Sequence, residues 1–178
     1  MDTTEIGIRP PRTMTEVYQC LPEGTPVQLI ENKLIMAPSP FTIHQKLVGQ
    51  LFSSLNNYVA TEKKGQVFLA PLDVYLDSGN IYQPDIFFIS NEHIHNLKEN
   101  GFHGAPDLVI EILLPSTAQY DLKDKKKVYE RNGVKEYWII DPHYKSAQGF
   151  YLKDVKYQSF HKAENVLKSR LLEVSISF

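Results

Sequence analysis

Cysteine occurs once in the 178 residues, at Cys20, so no disulfide can close within the chain and no zinc site can be built from several thiolates. Long apolar runs are missing too. The longest, around Leu108–Leu114, falls far short of the roughly 20 residues a membrane-spanning helix needs. The start, Met1-Asp2-Thr3-Thr4-Glu5, has neither the cationic opening nor the apolar stretch of a secretory leader. These absences imply a cytoplasmic protein with no membrane partner. A charge excess of either sign is also lacking, the formal net charge being −2. A protein that mainly coats nucleic acid carries a strong positive excess. A near-neutral enzyme that gathers carboxylates around a cation needs none. What remains, 42% hydrophobic and 22% charged residues, is ordinary for a globular chain, and its length suits one domain over residues 1–178.

Residues 1–26, with Pro10-Pro11, Pro22, Gly24 and Pro26, read as an irregular lead-in holding one short helix near Met14–Cys20. Val27–Met36 reads as a hairpin turning at Glu31-Asn32, since Asn tolerates left-handed backbone. A long amphipathic helix over Thr42–Thr61 follows. Its stripe is Ile43, Leu47, Leu51, Leu55 and Tyr58, widened by Val48 and Phe52, with Ser39 or Thr42 as cap. Gln66–Ala70, Val74–Leu76, Pro84–Ile89 and Asp107–Leu114 read as strands of a sheet covered on both faces. Asn91–Gly104 reads as a polar connection with one helical turn. Tyr120–Asn132 is a second helix closed by Gly133. Lys135–Asp141 is a central strand, and Gly149–Leu152 with Lys156–Phe160 a closing hairpin. The order points to an α/β fold with one mixed sheet flanked by helices.

Three ionisable residues strain a purely structural account. Asp85 opens the apolar segment Asp85-Ile-Phe-Phe-Ile89. Glu111 lies inside Leu108-Val-Ile-Glu-Ile-Leu-Leu114, where an unpaired carboxylate costs several kcal/mol or neutralises. Strand alternation puts Asp107, Val109, Glu111 and Leu113 on one face, with Leu108, Ile110 and Ile112 on the other. Lys125 falls within the inward stripe marked by Leu122 and Tyr129, with Lys126 at its margin. Taken singly, a strand-initial Asp is often a turn former, a Lys-rich helix is usually a solvated face, and Glu111 could be half of a structural ion pair. Together they describe a site.

The same residues carry a resemblance. Tyr82-Gln-Pro-Asp-Ile86, Ala105-Pro-Asp-Leu-Val-Ile-Glu-Ile-Leu113, Pro115-Ser-Thr117, Asp121 with Lys125 and Tyr129 at four-residue steps, and Gly133–Asp141 resemble the Uma2 family. Gln28–Leu34, His44 and Ala70–Val74 are similar to its N-terminal half. Uma2 proteins are grouped with the PD-(D/E)XK nucleases, so the resemblance implies a restriction-endonuclease-like mixed β-sheet core flanked by α-helices. It also implies a Mg²⁺-dependent endonuclease, with Mn²⁺ able to substitute, acting on DNA as a homodimer. Carried over by position, Asp85 and Glu111 hold the metal, with the Ile112 carbonyl as a third oxygen. Lys125 orients the attacking water in place of the usual strand lysine, whose position is occupied by Leu113. Asp121, as a cap, and His44 are accessory. Gln28 stands where the family often has glutamate, and Leu114 where it often has serine. The first departure leaves open a catalytically inactive module that binds nucleic acid or protein.

Overall fold

The computed structural model describes residues 9–22, 24–115 and 118–178. The lead-in contains the expected short helix, α1 (Met14–Gln19), begun where Thr13 accepts a hydrogen bond from the Glu16 N–H. β1 (Val27–Ile30) and β2 (Lys33–Met36) form the expected hairpin. At its turn Glu31 and Asn32 take φ of 48° and 60°, the left-handed pair that a two-residue primed turn requires. α2 spans Thr42–Thr61. β3 (Gly65–Leu69), β4 (Val74–Asp77), β5 (Asn80–Tyr82) and β6 (Ile86–Ser90) follow. The connection expected at 91–104 holds more than one helical turn. After the 3₁₀ turn Ile94–Asn96 it folds into a small hairpin, β7 (Leu97–Lys98) and β8 (Gly101–His103).

β9 (Leu108–Ile112) leads to a π-helical turn, Tyr120–Lys125, that runs into α3 (Lys126–Asn132). Gly133 closes α3 at φ 89°, the left-handed C-cap that its place in the sequence predicts. β10 (Glu136–Asp141) pairs in parallel with β9 and antiparallel with β11 (Ser146–Lys153), which turns back as β12 (Lys156–Glu164). A last hairpin, β13 (Val166–Ser169) and β14 (Val174–Ser177), closes the described chain.

The α/β class holds, but the single expected sheet is two. One runs β2-β1-β5-β4-β8-β7 and the other β12-β11-β10-β9-β6-β3, with β13-β14 separate. The strand that splits them is β5. At three residues it is too short to show a period, yet it joins the first hairpin to β4. The second sheet lies in the middle. Its Ile86, Phe88, Leu108, Ile110 and Ile112 pack against α2. Phe87, Ile89 and Val109 face the first sheet and α3. Both faces are thus apolar, which is why β6 and β9 read as continuous hydrophobic runs.

Two details of the helices differ from expectation. The N-cap of α2 is Phe41, without a side-chain hydrogen bond, so neither Ser39 nor Thr42 caps it. Its buried stripe is His44, Val48, Leu51, Leu55 and Val59, and Ile43 is 52% exposed. The stripe is rotated by one residue because His44 faces a carboxylate, as described below. Further on, Leu122 is 46% exposed while Asp121 is buried. A π turn closes i to i+5 and so spends an extra residue, which brings Asp121 rather than Leu122 into line with Lys125 and Tyr129.

Two carboxylates away from any cleft hold this arrangement together. Asp77 receives the Gly79 N–H at 2.9 Å, Asn80 at 2.7 Å, Asn132 at 3.0 Å and Arg131 at 3.1 Å, tying β4-β5 to α3. Burial raises its pKa, but these donors outweigh it and hold the group at about 2, below the ordinary 3.8. The folded-state value is depressed. Its stabilisation is therefore complete above pH 4 and is lost as pH falls through 2. Discounted for partial exposure, Asp77→Asn should lose about 1 kcal/mol in urea unfolding at pH 7, the gap to wild type closing near pH 2. Glu136, fully buried, receives Trp138 Nε1 at 2.6 Å and the Arg170 and Leu171 N–H groups at 3.0 and 2.7 Å. Glu136→Ala strands these donors. A loss of about 3 kcal/mol is expected, with hydrogen-exchange protection falling first in Val166–Ser177.

Candidate active site

β9 ends, and β6 begins, at a cavity of about 340 Å³ whose lining includes Gln28, His44, Asp85, Glu111, Asp121 and Lys125. These residues come from five separate parts of the chain. Asp85 sits just before β6, where its Oδ2 accepts the Ile112 N–H at 2.7 Å. That bond fixes the aspartate against the end of β9. His44, from the first turn of α2, places Nε2 3.2 Å from the same oxygen. Burial pushes the imidazole pKa down, but Asp85, the Ile112 backbone and Glu111 outweigh it, and the net shift is upward. His44 thus faces Asp85 through Nε2, while its Nδ1 is buried with no hydrogen-bond partner among the described residues.

Glu111 is 2% exposed. Its Oε1 accepts from Lys125 Nζ at 3.0 Å and from the Tyr129 hydroxyl at 2.7 Å. Lys125 Nζ also lies 2.9 Å from Asp121 Oδ1, off the line of a hydrogen bond. The Tyr137 hydroxyl donates to the Asp121 carbonyl at 2.9 Å, bracing the π turn from below. Burial lowers the Lys125 pKa, but its two carboxylates outweigh that and the net shift is upward, so the ammonium stays charged. Burial drives both Glu111 and Asp121 upward against the pull of Lys125, with Asp121 and Asp85 adding to the rise of Glu111 and Asp85 to that of Asp121. One ammonium cannot neutralise two buried carboxylates. The cluster is short of positive charge.

The predicted residues therefore meet at one place, though not all in the expected manner. Asp121 does not cap a helix. It is an inward partner of Lys125, because the helical turn begins before it. Gln28 lines the cavity with an amide whose oxygen accepts the Gln83 N–H at 3.1 Å, two residues before Asp85. It anchors the loop that carries Asp85. Ser116 and Thr117 lie outside the described residues. Tyr129 and Tyr137 were read only as part of a helix stripe and a strand. Their hydroxyl groups meet the buried acid cluster, a role that no spacing in the sequence signals.

A divalent cation can be tested against these donors. Among the described residues, no three His, Cys, Asp or Glu side chains lie close enough to hold a metal. Mg²⁺ asks for less: one or two carboxylates, the rest being water and substrate phosphate. Asp85 spends only Oδ2 and Glu111 only Oε1 on the described residues. The second oxygen of each remains, at the lip of a cluster lacking positive charge. The donor set fits a hard cation.

Among the described residues no helix is long and apolar enough to cross a membrane. No curated protein matches the chain. A crystal structure described as "a putative nuclease belonging to DUF820" from Anabaena variabilis is similar at 25% identity and a TM-score of 0.77. The likeness covers 94% of this chain and 95% of that one. The family model of Uma2, described as "Putative restriction endonuclease", matches residues 15–178. That span covers the two sheets, the π turn and every residue of the cavity, and the protein belongs to the Uma2 family.

Proposed function

We propose that this protein is a Mg²⁺-dependent endonuclease that hydrolyses DNA phosphodiester bonds at the cavity between β6, β9 and the π turn. Membership of a family of restriction-endonuclease-like nucleases supports the broader reading, a nuclease acting on nucleic acid. The finer reading is carried by one observation. Asp85, just before β6, and Glu111, within β9, each keep a carboxylate oxygen beside a buried cluster that lacks positive charge.

In this reading Asp85 and Glu111 would hold the cation, with the Ile112 carbonyl as a third protein oxygen, and the cation would supply charge neutralisation at the scissile phosphate and a more acidic water. His44 keeps Asp85 Oδ2 occupied and so aims Oδ1. Lys125 and Tyr129 do the same for Glu111 by occupying Oε1. Lys125 Nζ donates to Glu111 Oε1 and stands beside Asp121 Oδ1 off the line of a hydrogen bond. A remaining N–H would serve the attacking water or a phosphate oxygen, where a fixed cation favours the developing negative charge. Two copies related by a two-fold axis would present two such cavities, as C₂ is the default assembly.

Plasmid relaxation in Mg²⁺ or Mn²⁺ tests the proposal. Asp85→Asn keeps the side-chain shape and its acceptor for the Ile112 N–H, and should lower cleavage at least about a hundredfold with little change in melting temperature. Cleavage unchanged by Asp85→Asn and Glu111→Gln would retire this site. Lys125→Ala is a poorer probe, since it leaves two buried carboxylates uncompensated and should cost about 3 kcal/mol or more. A second reading, a nuclease-like module that binds without cutting, draws on Gln28, an amide where a third carboxylate would strengthen cation binding. Calorimetry separates the two: Mn²⁺ binding that Glu111→Gln abolishes favours the enzyme, and no Mn²⁺ binding favours the module.

A further inference from the structure

The walls of the cavity differ from its floor. The floor is ionic, whereas the walls and mouth include Pro26, Ile35, Met36, Pro38, Pro40 and Leu114. Lys125 is the only Lys or Arg among the lining residues, and its charge is met twice over by Glu111 and Asp121. Duplex DNA is bound chiefly through phosphates, each neutralised by a lysine or arginine. This mouth offers no such rail. Its volume, about 340 Å³, is at the small-ligand end of binding clefts. It suits one nucleotide and not a segment of double helix.

Around that mouth, Met36 and Phe41 are each 64% exposed and Ile43 52%. Of these, Met36 lines the cavity, and Phe41 follows directly on its lining residues Pro38, Ser39 and Pro40, so the mouth is bordered on this side by exposed apolar side chains. Nucleobases offer such a patch their flat faces, but only when unstacked. Proteins hold single strands without reading sequence by stacking bases on such platforms beside a source of positive charge; here the platform would take the base, and a cation held at Asp85 and Glu111 would meet its one phosphate. One polar atom, His44 Nδ1, lies buried among the lining residues with no hydrogen-bond partner among the described residues.

We propose that this cavity takes an unpaired nucleotide, so that the preferred substrate is single-stranded DNA or duplex opened at a bubble. The proposal rests on the nuclease reading for its chemistry, but the binding it describes does not require cleavage.

Fluorescence anisotropy with three labelled DNAs of one sequence, a single strand, a blunt duplex and a duplex with an internal bubble, tests it in Ca²⁺ without Mg²⁺ or Mn²⁺. The single strand and the bubble should bind at least about tenfold more tightly than the blunt duplex. The double substitution Met36→Gln with Phe41→Ser should erase that preference while leaving the melting temperature unchanged. A blunt duplex bound as tightly as the single strand overturns the proposal, as does failure to bind any of the three. Strand scission in Mg²⁺ is then read separately. Tight single-strand binding without scission retires the nuclease reading and keeps this one. Equal binding and scission of duplex and single strand does the reverse.

Discussion

A carboxylate set into a strand that is buried on both faces must find positive charge or give up its own, and Glu111 is that carboxylate here. β9 can bury Glu111 only because the following helix delivers Lys125 to its Oε1 and Tyr129 adds a hydroxyl. Lys125 in turn is buried, with Tyr82 beneath it at 5.8 Å, and takes Asp121 as a second counter-ion. Asp121 reaches it because the chain enters α3 through a wide turn, which Tyr137 braces from the neighbouring strand. Each adjustment answers the one before it. The π turn, the aromatic floor and the orientation of α3 are consequences of one acid in the middle of a sheet.

Burial alone does not mark that acid as functional, and two others show why. Asp107, at the opposite end of β9, is just as buried. It is met by Lys135 at 2.7 Å, the Ser90 N–H at 2.9 Å and His93 at 3.0 Å. Glu136 is met by an indole and two backbone N–H groups. Both engage their two oxygens, Asp107 with a lysine and Glu136 with neutral donors of the fold. Glu111 differs in its surroundings. Its partner Lys125 is shared with a second buried acid, one of its oxygens is left over, and that oxygen belongs to a residue lining a cavity. A surplus of negative charge beside open space distinguishes a site from a staple.

Much of this was legible in the residues because the informative segments are long or chemically extreme. Twenty residues of helical period defined α2 to its ends, and two left-handed residues between apolar runs defined the first hairpin. Alternation in β9 put Glu111 on the α3 face and Ile112 on the α2 face, as the two cores confirm for its apolar neighbours. What escaped notice was short or non-periodic. β5, β7 and β8 have three residues or fewer, and the pairings that join them into a sheet, β1 with β5 and β4 with β8, span long stretches of chain, so the first sheet could not be seen as separate. The rotation of α2 escaped because His44 is polar. It is buried by its pairing with Asp85, a contact across 41 positions that no local pattern encodes.

The lysine raises a more general point. In a strand of alternating faces, the residue two beyond Glu111 lies on the same face about 7 Å along, and here it is Leu113, packed at the edge of the aromatic core. An ammonium at that position would have to fold back along its own strand to reach the glutamate, and its stem would displace part of that core. Lys125 instead approaches from the next layer, end-on, and arrives within 3.0 Å. The ammonium is thus delivered to a point in space by a different element of the chain. That same approach buries the lysine between two acids, and no other Lys or Arg stands among the described residues that line the cavity. Apolar walls without such cations make a poor bed for a polyanionic rod, while a single base can lie against them if a cation at the floor meets its phosphate. Placing the lysine on the helix thus bears on which form of nucleic acid the cleft can admit.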